Sequence, residues 1–217
     1  MDSQYHIQLL TETLRSYFSS KGLEQIIAAN LGQDSLRYQL GAYPQYHFDN
    51  NQIARSLAYV EEEHAQIGKL ASDPAGNHAQ RQRAAFGRLT HTVHDFYAHS
   101  NYVDLWLEAN GGLANTSADD IKGLDPTLLN HPQLYTGSFL LWFDTLYYLP
   151  GLRPILRSIY LRPNSHEAMN LDNPGQGPKF AYAMVAAKQR TLYEYQHAVE
   201  TLQSIGGEDA LNAFDRA

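Results

Sequence analysis

Apolar residues recur at helical spacing through most of the chain. Within residues 5–18, apolar side chains fall near positions i, i+3, i+7 and i+10, which predicts an amphipathic helix. Gly22 interrupts this pattern, and a second helix is predicted over residues 23–30. The same periodicity predicts further helices over residues 52–70, 78–109, 135–148, 154–161 and 179–204.

Polar segments with glycine and proline separate these helices. Residues 31–51 are predicted to form an ordered loop that presents His47 and Asp49. Long polar loops are also predicted over residues 111–132 and 162–175. Strict alternation of apolar and polar residues is not found, so the sequence predicts an all-α, multi-helix single domain over residues 1–217.

Composition agrees with one globular domain. The chain has 217 residues, of which 43% are hydrophobic and 18% charged, and this is ample for one core. The most apolar run, residues 139–149, is about half the length that crosses a bilayer and contains Asp144, so no transmembrane span is predicted. The first residues resemble no signal peptide, which predicts a cytoplasmic protein unless a non-classical route exports it.

Charge and residue types limit the chemistry. The net charge of -7 offers no basic face for a nucleic-acid backbone, although bound metal would reverse the sign locally. The absence of cysteine excludes disulfides and thiolate metal sites. Any metal must therefore bind to imidazole and carboxylate groups, and the chain has ten histidines.

One helical segment places three ligand-type residues in a row. His91, Asp95 and His99 are four residues apart, and each step of four advances only about 40° around a helix. A carboxylate between two histidines can bridge two ions, but the same row can also be a solvated or internally satisfied polar stripe. Further ligand types occur elsewhere, at His6, Asp34, His47, His166 and Asp172.

The string from His91 to Asp104, HTVHDFYAHSNYVD, resembles the Het-C domain of heterokaryon-incompatibility proteins and their bacterial relatives. That group is similar to zinc-dependent phospholipases C and single-strand nucleases, which implies an all-helical fold with three zinc ions in a cleft. The segments around His6 and His47 resemble histidine segments of the same enzymes. The resemblance covers residues from about 5 to 200.

The resemblance implies a ligand set for each ion. For the first ion, it implies Asp34, His47, His91 and Asp95. For the second ion, it implies His6 with Asp95 as the bridge. For the remaining ion, it implies His99, His166 and a carboxylate, Asp172 or Glu167. The cofactor expected is Zn²⁺, as two or three ions, although other divalent transition metals accept the same ligands.

The function expected from this resemblance is metal-dependent hydrolysis of phosphoric esters. A phospholipase C-like activity is the first expectation. Asp95 would bridge two ions, and Asp34 or Asp49 would orient the attacking water, a hypothesis from their positions in the sequence. The substrate would be a phospholipid or another phosphodiester. Peripheral membrane contact is a further hypothesis and would involve the aromatic residues Trp142, Phe143, Tyr147 and Tyr148.

Two alternatives stay open at this point. A single-strand nuclease would need base-stacking aromatic residues, for which Tyr43, Tyr97 and Tyr102 are candidates. A non-catalytic metal-binding module acting in incompatibility or as a toxin is the other. His94 is interpreted as a group that supports a ligand or lies at the surface, and the remaining histidines, His64, His78, His131 and His197, as structural or exposed.

Overall fold

The structure is a computed structural model that describes residues 1–35, 43–73, 78–138 and 164–216, without the side chains of His166 and Glu167. Helices dominate these ranges, and no strand occurs within them apart from two isolated bridges. The prediction of an all-α fold is confirmed. Residues 139–163 lie outside the described part, and with them the predicted helix over 154–161, most of that over 135–148, and the four aromatic residues considered for membrane contact.

The helices are numbered here in chain order. They are α1 (Ser3–Leu14), α2 (Ser20–Gly32), α3 (Ile53–Ala71), α4 (Ala79–His99), α5 (Tyr102–Ala109), α6 (Pro126–Leu129), α7 (His166–Met169) and α8 (Lys179–Arg216). Short 3₁₀ turns occur at Pro44–Tyr46, Ala118–Asp120 and Pro174–Gln176. None of the described helices combines the length and apolarity that a membrane span requires.

The boundary between α1 and α2 differs from the prediction. α1 ends at Leu14 rather than at residue 18, and α2 begins at Ser20, before Gly22. The reason is the N-cap: Gly22 N–H donates to Ser19 Oγ at 3.0 Å, which satisfies an amide in the first turn. Gly22 therefore lies inside the helix that it was expected to precede.

The predicted helix over residues 78–109 is divided into α4 and α5. Ser100 is extended, with φ -113° and ψ 164°, and forms an isolated bridge with Thr136. The side chain of Asn101 holds residues 133–135 against this junction. Its Nδ2 donates to Gln133 O, and its Oδ1 accepts from Tyr135 N–H. The same contacts keep residues 135–138 non-helical, so a helix beginning at residue 135 is wrong.

α8 extends beyond the predicted end at residue 204. It is kinked at Gly207, whose φ of 61° is in the left-handed region that favours glycine. The final turns bring Phe214 into the core beside Phe18 and Phe86. Arg83 fastens this end by donating to the carbonyl of Phe214 at 2.9 Å.

α4 is the central helix of the described fold. It packs against α2, α3 and α8, and nearly every side chain along its C-terminal half is buried. Val93 belongs to one apolar cluster, with Leu10, Ile26 and Leu202, while Phe96 belongs to the other. Polar residues on this half of α4 are consequently enclosed by packed helices.

The contact between α2 and α4 depends on Gly87. A Cβ at this position would lie 2.3 Å from Ile26 O and 2.9 Å from Ala29 Cβ. Both atoms belong to a packed helix that cannot yield cheaply. The absence of a side chain at Gly87 therefore sets how closely the two helices approach.

Gly87→Ala is expected to lower the free energy of unfolding by about 1–3 kcal/mol, because the new methyl group overpacks the helix contact. Gly32→Ala is the matched control, since a Cβ at Gly32 has open space within 4 Å. Urea denaturation of both variants measures the difference. Equal midpoints for both variants and the parent protein would contradict the close approach.

Candidate metal centre

The row of ligand-type residues on α4 faces the protein interior. The relative exposure of His91, Asp95 and His99 is 0%, 1% and 4%. A solvated stripe is therefore excluded for these three residues. A buried carboxylate needs compensating partners, and their positions define the site.

One oxygen of Asp95 belongs to what we call the first cluster, formed by Asp34, His47, His91 and Asp95. Asp95 Oδ2 lies 3.0 Å from His47 Nδ1 and 3.1 Å from His91 Nε2. These two ring nitrogens are 3.1 Å apart. Asp34 Oδ1 lies 3.5 Å from His91 Nε2 and 3.9 Å from His47 Nδ1.

These separations match the spacing of ligand atoms around a metal ion. Atoms at roughly 2.0–2.1 Å from a tetrahedral zinc ion lie about 3.3 Å from one another. The ligand atoms of Asp34, His47 and His91 all lie within 4.8 Å of one another, as do those of His6, His91 and Asp95. The buried histidine and aspartate groups can thus hold a metal ion.

A strained loop delivers His47 to this cluster. Among the residues that follow His47, three have positive φ: Phe48 at 54°, Asn50 at 58° and Asn51 at 55°. Such values are unfavourable for a bulky residue such as Phe48 and persist only where surrounding contacts enforce them. Phe48 is buried against Phe96, with ring centroids 4.9 Å apart, and this packing holds the loop.

The opposite side of the same loop is held by backbone contacts. Asn50 N–H donates to Gly137 O at 2.8 Å, and Asn51 N–H donates to Thr136 Oγ1 at 2.9 Å. The segment after α5 therefore anchors the left-handed residues. Backbone strain concentrated beside a ligand-rich centre is typical of functional sites.

The second oxygen of Asp95 belongs to what we call the second cluster, formed by His6, Asp95 Oδ1, His99 and Asp172. His6 Nε2 lies 3.3 Å from Asp95 Oδ1. The amino group of Met1 lies 2.8 Å from the same oxygen and 2.9 Å from Asp172 Oδ1. Asp95 thus directs one oxygen to each cluster.

The tautomer of His99 in this cluster follows from its partner. Its Nδ1 lies 3.1 Å from the carbonyl oxygen of His47, which can only accept a hydrogen bond. A neutral His99 ring therefore carries its proton on Nδ1 and turns an Nε2 lone pair towards Asp172 Oδ1, 3.0 Å away. Two electron-rich atoms at this distance need a positive group beside them, and the Met1 amino group lies 3.3 Å from Nε2.

The electrostatics reflect this concentration of charge. Burial would raise the pKa of Asp95, but the Met1 amino group and the rings of His91 and His99 lower it well below its usual value. Burial and the neighbouring His91 lower the pKa of His6 to about 4. Burial also lowers the pKa of His94 well below the usual value. These shifts keep Asp95 ionised and both histidines neutral at pH 7.

Three members of the centre are partly exposed in the described part of the chain. The side chains of Asp34, His47 and Asp172 are 31%, 15% and 15% exposed. His6 and Asp95 are enclosed. A solvent molecule or substrate would therefore approach from the side of Asp34, His47 and Asp172.

The structure brings most of the predicted site residues into these two clusters. His99 and Asp172, which were predicted to hold a third ion, belong to the second cluster instead. The Met1 amino group contacts both of them as well as Asp95. The side chains of His166 and Glu167 lie outside the described part. The Met1 amino group was not predicted as a contact, since no spacing in the sequence indicates it. Of the two positions considered for His94, the surface is wrong, because His94 is 0% exposed and its Nδ1 lies 3.0 Å from His6 Nδ1.

Another buried group contains His64, Glu194 and His197, whose ligand atoms also lie within 4.8 Å of one another. His64 Nε2 is 2.6 Å from Glu194 Oε2, and Arg190 donates to the other carboxylate oxygen. Burial would raise the pKa of Glu194, but the bond to His64 and the charge of Arg190 lower it. This carboxylate is neutralised by protein groups, which favours an ion pair over a metal site.

Comparison with known families adds one match. The family model described as VWA7 N-terminal domain matches residues 4–119, just over half of the chain. The matched range includes all four residues of the first cluster, with His6 and His99. No curated protein and no solved structure gives a significant match.

This match corrects the assignment to the Het-C family and its phospholipase C relatives, which is wrong. The motif that carried it, residues 91–104, follows from helix geometry. Residues three or four positions apart share one side of any helix, so this spacing also arises in unrelated helices. A short row of ligand types therefore indicates a chemistry without identifying a family.

We expect metal binding at the first cluster to release a proton from His47. Burial would lower the pKa of His47, but Asp95, Asp49 and Asp34 raise it above the usual 6.5. In the metal-free protein, the stabilisation by this ion pair is present below pH 6.5 and is lost as pH rises through the raised pKa. Zinc affinity has the opposite trend and falls as pH drops through that value.

Calorimetric titration with zinc in buffers of different ionisation enthalpy measures the proton release. His47→Asn is the control, since it removes the titrating ring. Zinc binding at pH 6, below the usual pKa, without proton release would contradict the expected protonation of His47.

His64→Leu is expected to destabilise the fold by roughly 1–3 kcal/mol while leaving bound metal unchanged, because it removes a partner of buried Glu194. Denaturation and elemental analysis of the same sample measure the two quantities. A drop in bound metal of one ion per chain would instead make the His64 group a metal site.

Proposed function

The chain belongs to the VWA7 N-terminal domain family, and we propose that its buried centre binds two divalent transition-metal ions, zinc foremost, to hydrolyse phosphoric esters. The observation that carries the proposal is the position of Asp95. One of its oxygens lies in the first cluster and the other faces the second. Two ions about 3.5–4 Å apart are a recurrent arrangement in phosphatases and nucleases.

The donor set supports zinc or a similar ion. Imidazole nitrogen and carboxylate oxygen suit zinc, copper, iron and nickel, whereas magnesium and calcium prefer oxygen alone. Nδ1 of His91 and Nε2 of His47, the nitrogens pointing away from the centre, lack hydrogen-bond partners among the described residues. The polar contacts of the two rings are made by His91 Nε2 and His47 Nδ1, the nitrogens beside Asp95 Oδ2.

Each residue has a distinct task in this proposal. Bound ions would lower the pKa of water and offset negative charge on phosphate oxygens. Asp34, the most exposed member of the first cluster, would accept a proton from the attacking water and orient it. Asp95 would keep the two positions at a fixed separation, and its burial excludes competing water from its oxygens.

The negative charge of Asp95 and Asp172 supports a cation at the second cluster. The Met1 amino group is fully buried, and Asp95 and Asp172 offset the effect of burial and raise its pKa to about 11. An environment that retains a buried ammonium group also favours a metal ion. The ligands for that ion would be His6, Asp95, His99 and Asp172.

Single-stranded nucleic acid is a second candidate substrate. Tyr43 is 39% exposed and stacks on Tyr46, with ring centroids 5.1 Å apart and planes 7° apart. Tyr46 directly precedes His47 in the chain. An exposed aromatic face beside a metal centre suits base stacking. Tyr97 and Tyr102 do not serve this role, because both rings are 0% exposed and both hydroxyls donate to backbone carbonyls.

Purified protein is expected to contain at least one tightly bound metal ion per chain. His91→Ala and Asp95→Ala should each reduce hydrolysis of a phosphodiester by roughly 100-fold or more, because each removes a ligand and its charge stabilisation. Elemental analysis measures the metal. Turnover of a phosphocholine ester and of single-stranded DNA measures the activity and separates the two substrates.

His131→Ala is the matched control, because His131 lies outside both clusters and its ring contacts Gln133 N–H. Helical content by circular dichroism should be nearly unchanged in all three variants. Fewer than one tightly bound ion per chain would overturn the proposal. Stoichiometric metal without turnover of either substrate would leave a metal-binding module and overturn the catalytic part.

A further inference from the structure

Behind His6 lies a chain of buried polar groups. His6 Nδ1 is 3.0 Å from His94 Nδ1, and His94 Nε2 is 2.9 Å from Thr191 Oγ1. All three side chains are 0% exposed. α1, α4 and α8 each contribute one member, so the chain connects the second cluster to the helix behind it.

The proton on each nitrogen can be assigned from the far end. Thr191 Oγ1 donates its only hydrogen to Ala187 O at 2.8 Å, so it accepts from His94 Nε2–H. A neutral His94 ring then has a lone pair on Nδ1 and accepts from His6 Nδ1–H. A neutral His6 ring in turn has its lone pair on Nε2, the nitrogen that faces Asp95.

The reverse order of protons fits the geometry less well. It would turn the Thr191 hydroxyl to His94 and place a hydrogen on His6 Nε2. Although that nitrogen lies 3.3 Å from Asp95 Oδ1, the alignment forms no hydrogen bond, and Nε2 has no other partner among the described residues. A buried N–H that is poorly aligned with its acceptor gains little from it, whereas a lone pair at the same place is suited to a cation.

Ring packing keeps His6 in this orientation. Its ring stacks on His91, with centroids 4.4 Å apart and planes 11° apart. The ring of His6 also packs against the ring of His94, with centroids 5.1 Å apart. Rotation of His6 would break both contacts and the bond to His94.

We propose that Thr191 and His94 are positioning residues that fix His6 in the tautomer whose Nε2 lone pair faces Asp95, so that His6 is ready to bind a metal ion at the second cluster. Partners on the far nitrogen of a ligating histidine commonly set its tautomer and basicity. The role in metal binding rests on the proposed function. The tautomer itself does not.

The tautomer is tested on the full chain after metal removal with a chelator. Two-bond ¹H–¹⁵N correlation spectra of ¹⁵N-histidine-labelled protein distinguish a protonated Nδ1 from a protonated Nε2. We expect protonated Nδ1 for His6 and protonated Nε2 for His94. A hydrogen on Nε2 of His6 would overturn the proposal, whether or not the protein binds metal.

Zinc titration tests the consequence. Thr191→Val keeps the shape but removes the acceptor, so His94 is expected to direct its proton to His6 and zinc affinity at the second cluster to fall about 10–100-fold. The first cluster should bind as before. Thr191→Ser restores the hydroxyl and should restore both the spectrum and the affinity.

The outcomes separate the relay from the proposed function. If Thr191→Val binds zinc as tightly as the parent protein at both clusters, the positioning role is overturned. A failure of Thr191→Ser to restore the lost affinity overturns it as well, since shape rather than the hydroxyl would then matter. A parent protein that binds no zinc overturns the proposed function, while the spectra of the metal-free chain still decide the tautomer.

Discussion

The buried carboxylate of Asp95 is the constraint on which the arrangement of the centre depends. An ion enclosed by packed helices is destabilising unless opposite charge and hydrogen-bond donors surround it. The chain meets this requirement from two directions, with His47 and His91 at one oxygen and the Met1 amino group at the other. Two separate groups of potential ligands therefore share a single acidic residue.

The position of Asp95 follows from the packing of α4. The close approach of α2 at Gly87 and the apolar contacts of Val93 and Phe96 fix the rotation of this helix. The row from His91 to His99 then faces α1 and the loop that follows residue 43, while His94 faces α8. One helix thus supplies both the ligands and the group that orients a ligand on a neighbouring helix.

Much of this centre could be predicted from the sequence, for a simple reason. A helix relates residues four positions apart by geometry alone, so the alignment of His91, Asp95 and His99 needed no knowledge of the fold. Residue type also indicated His6, Asp34 and His47 as candidates, although their place around Asp95 depends on tertiary contacts. Helix limits at Ser19 and Asn101 were missed because side-chain caps and loop contacts override periodicity.

Other features could not be predicted from spacing. The left-handed conformation of Phe48 contradicts the local preference of an aromatic residue and exists only because Phe96, Gly137 and Thr136 hold the loop. The relay from Thr191 to His6 joins residues far apart in the chain, and its direction depends on which atom donates. The family assignment failed for a different reason, since a short row of ligand types on one helix face can arise in unrelated helices.

The wide separation of the contributing residues has a consequence for folding. His47 and Asp95 meet across 48 positions, His6 and His94 across 88, and His99 and Asp172 across 73. Closing such long loops costs chain entropy that only a nearly complete core can offset. We therefore expect the complete centre to assemble late in folding, after the helices that carry these residues have packed.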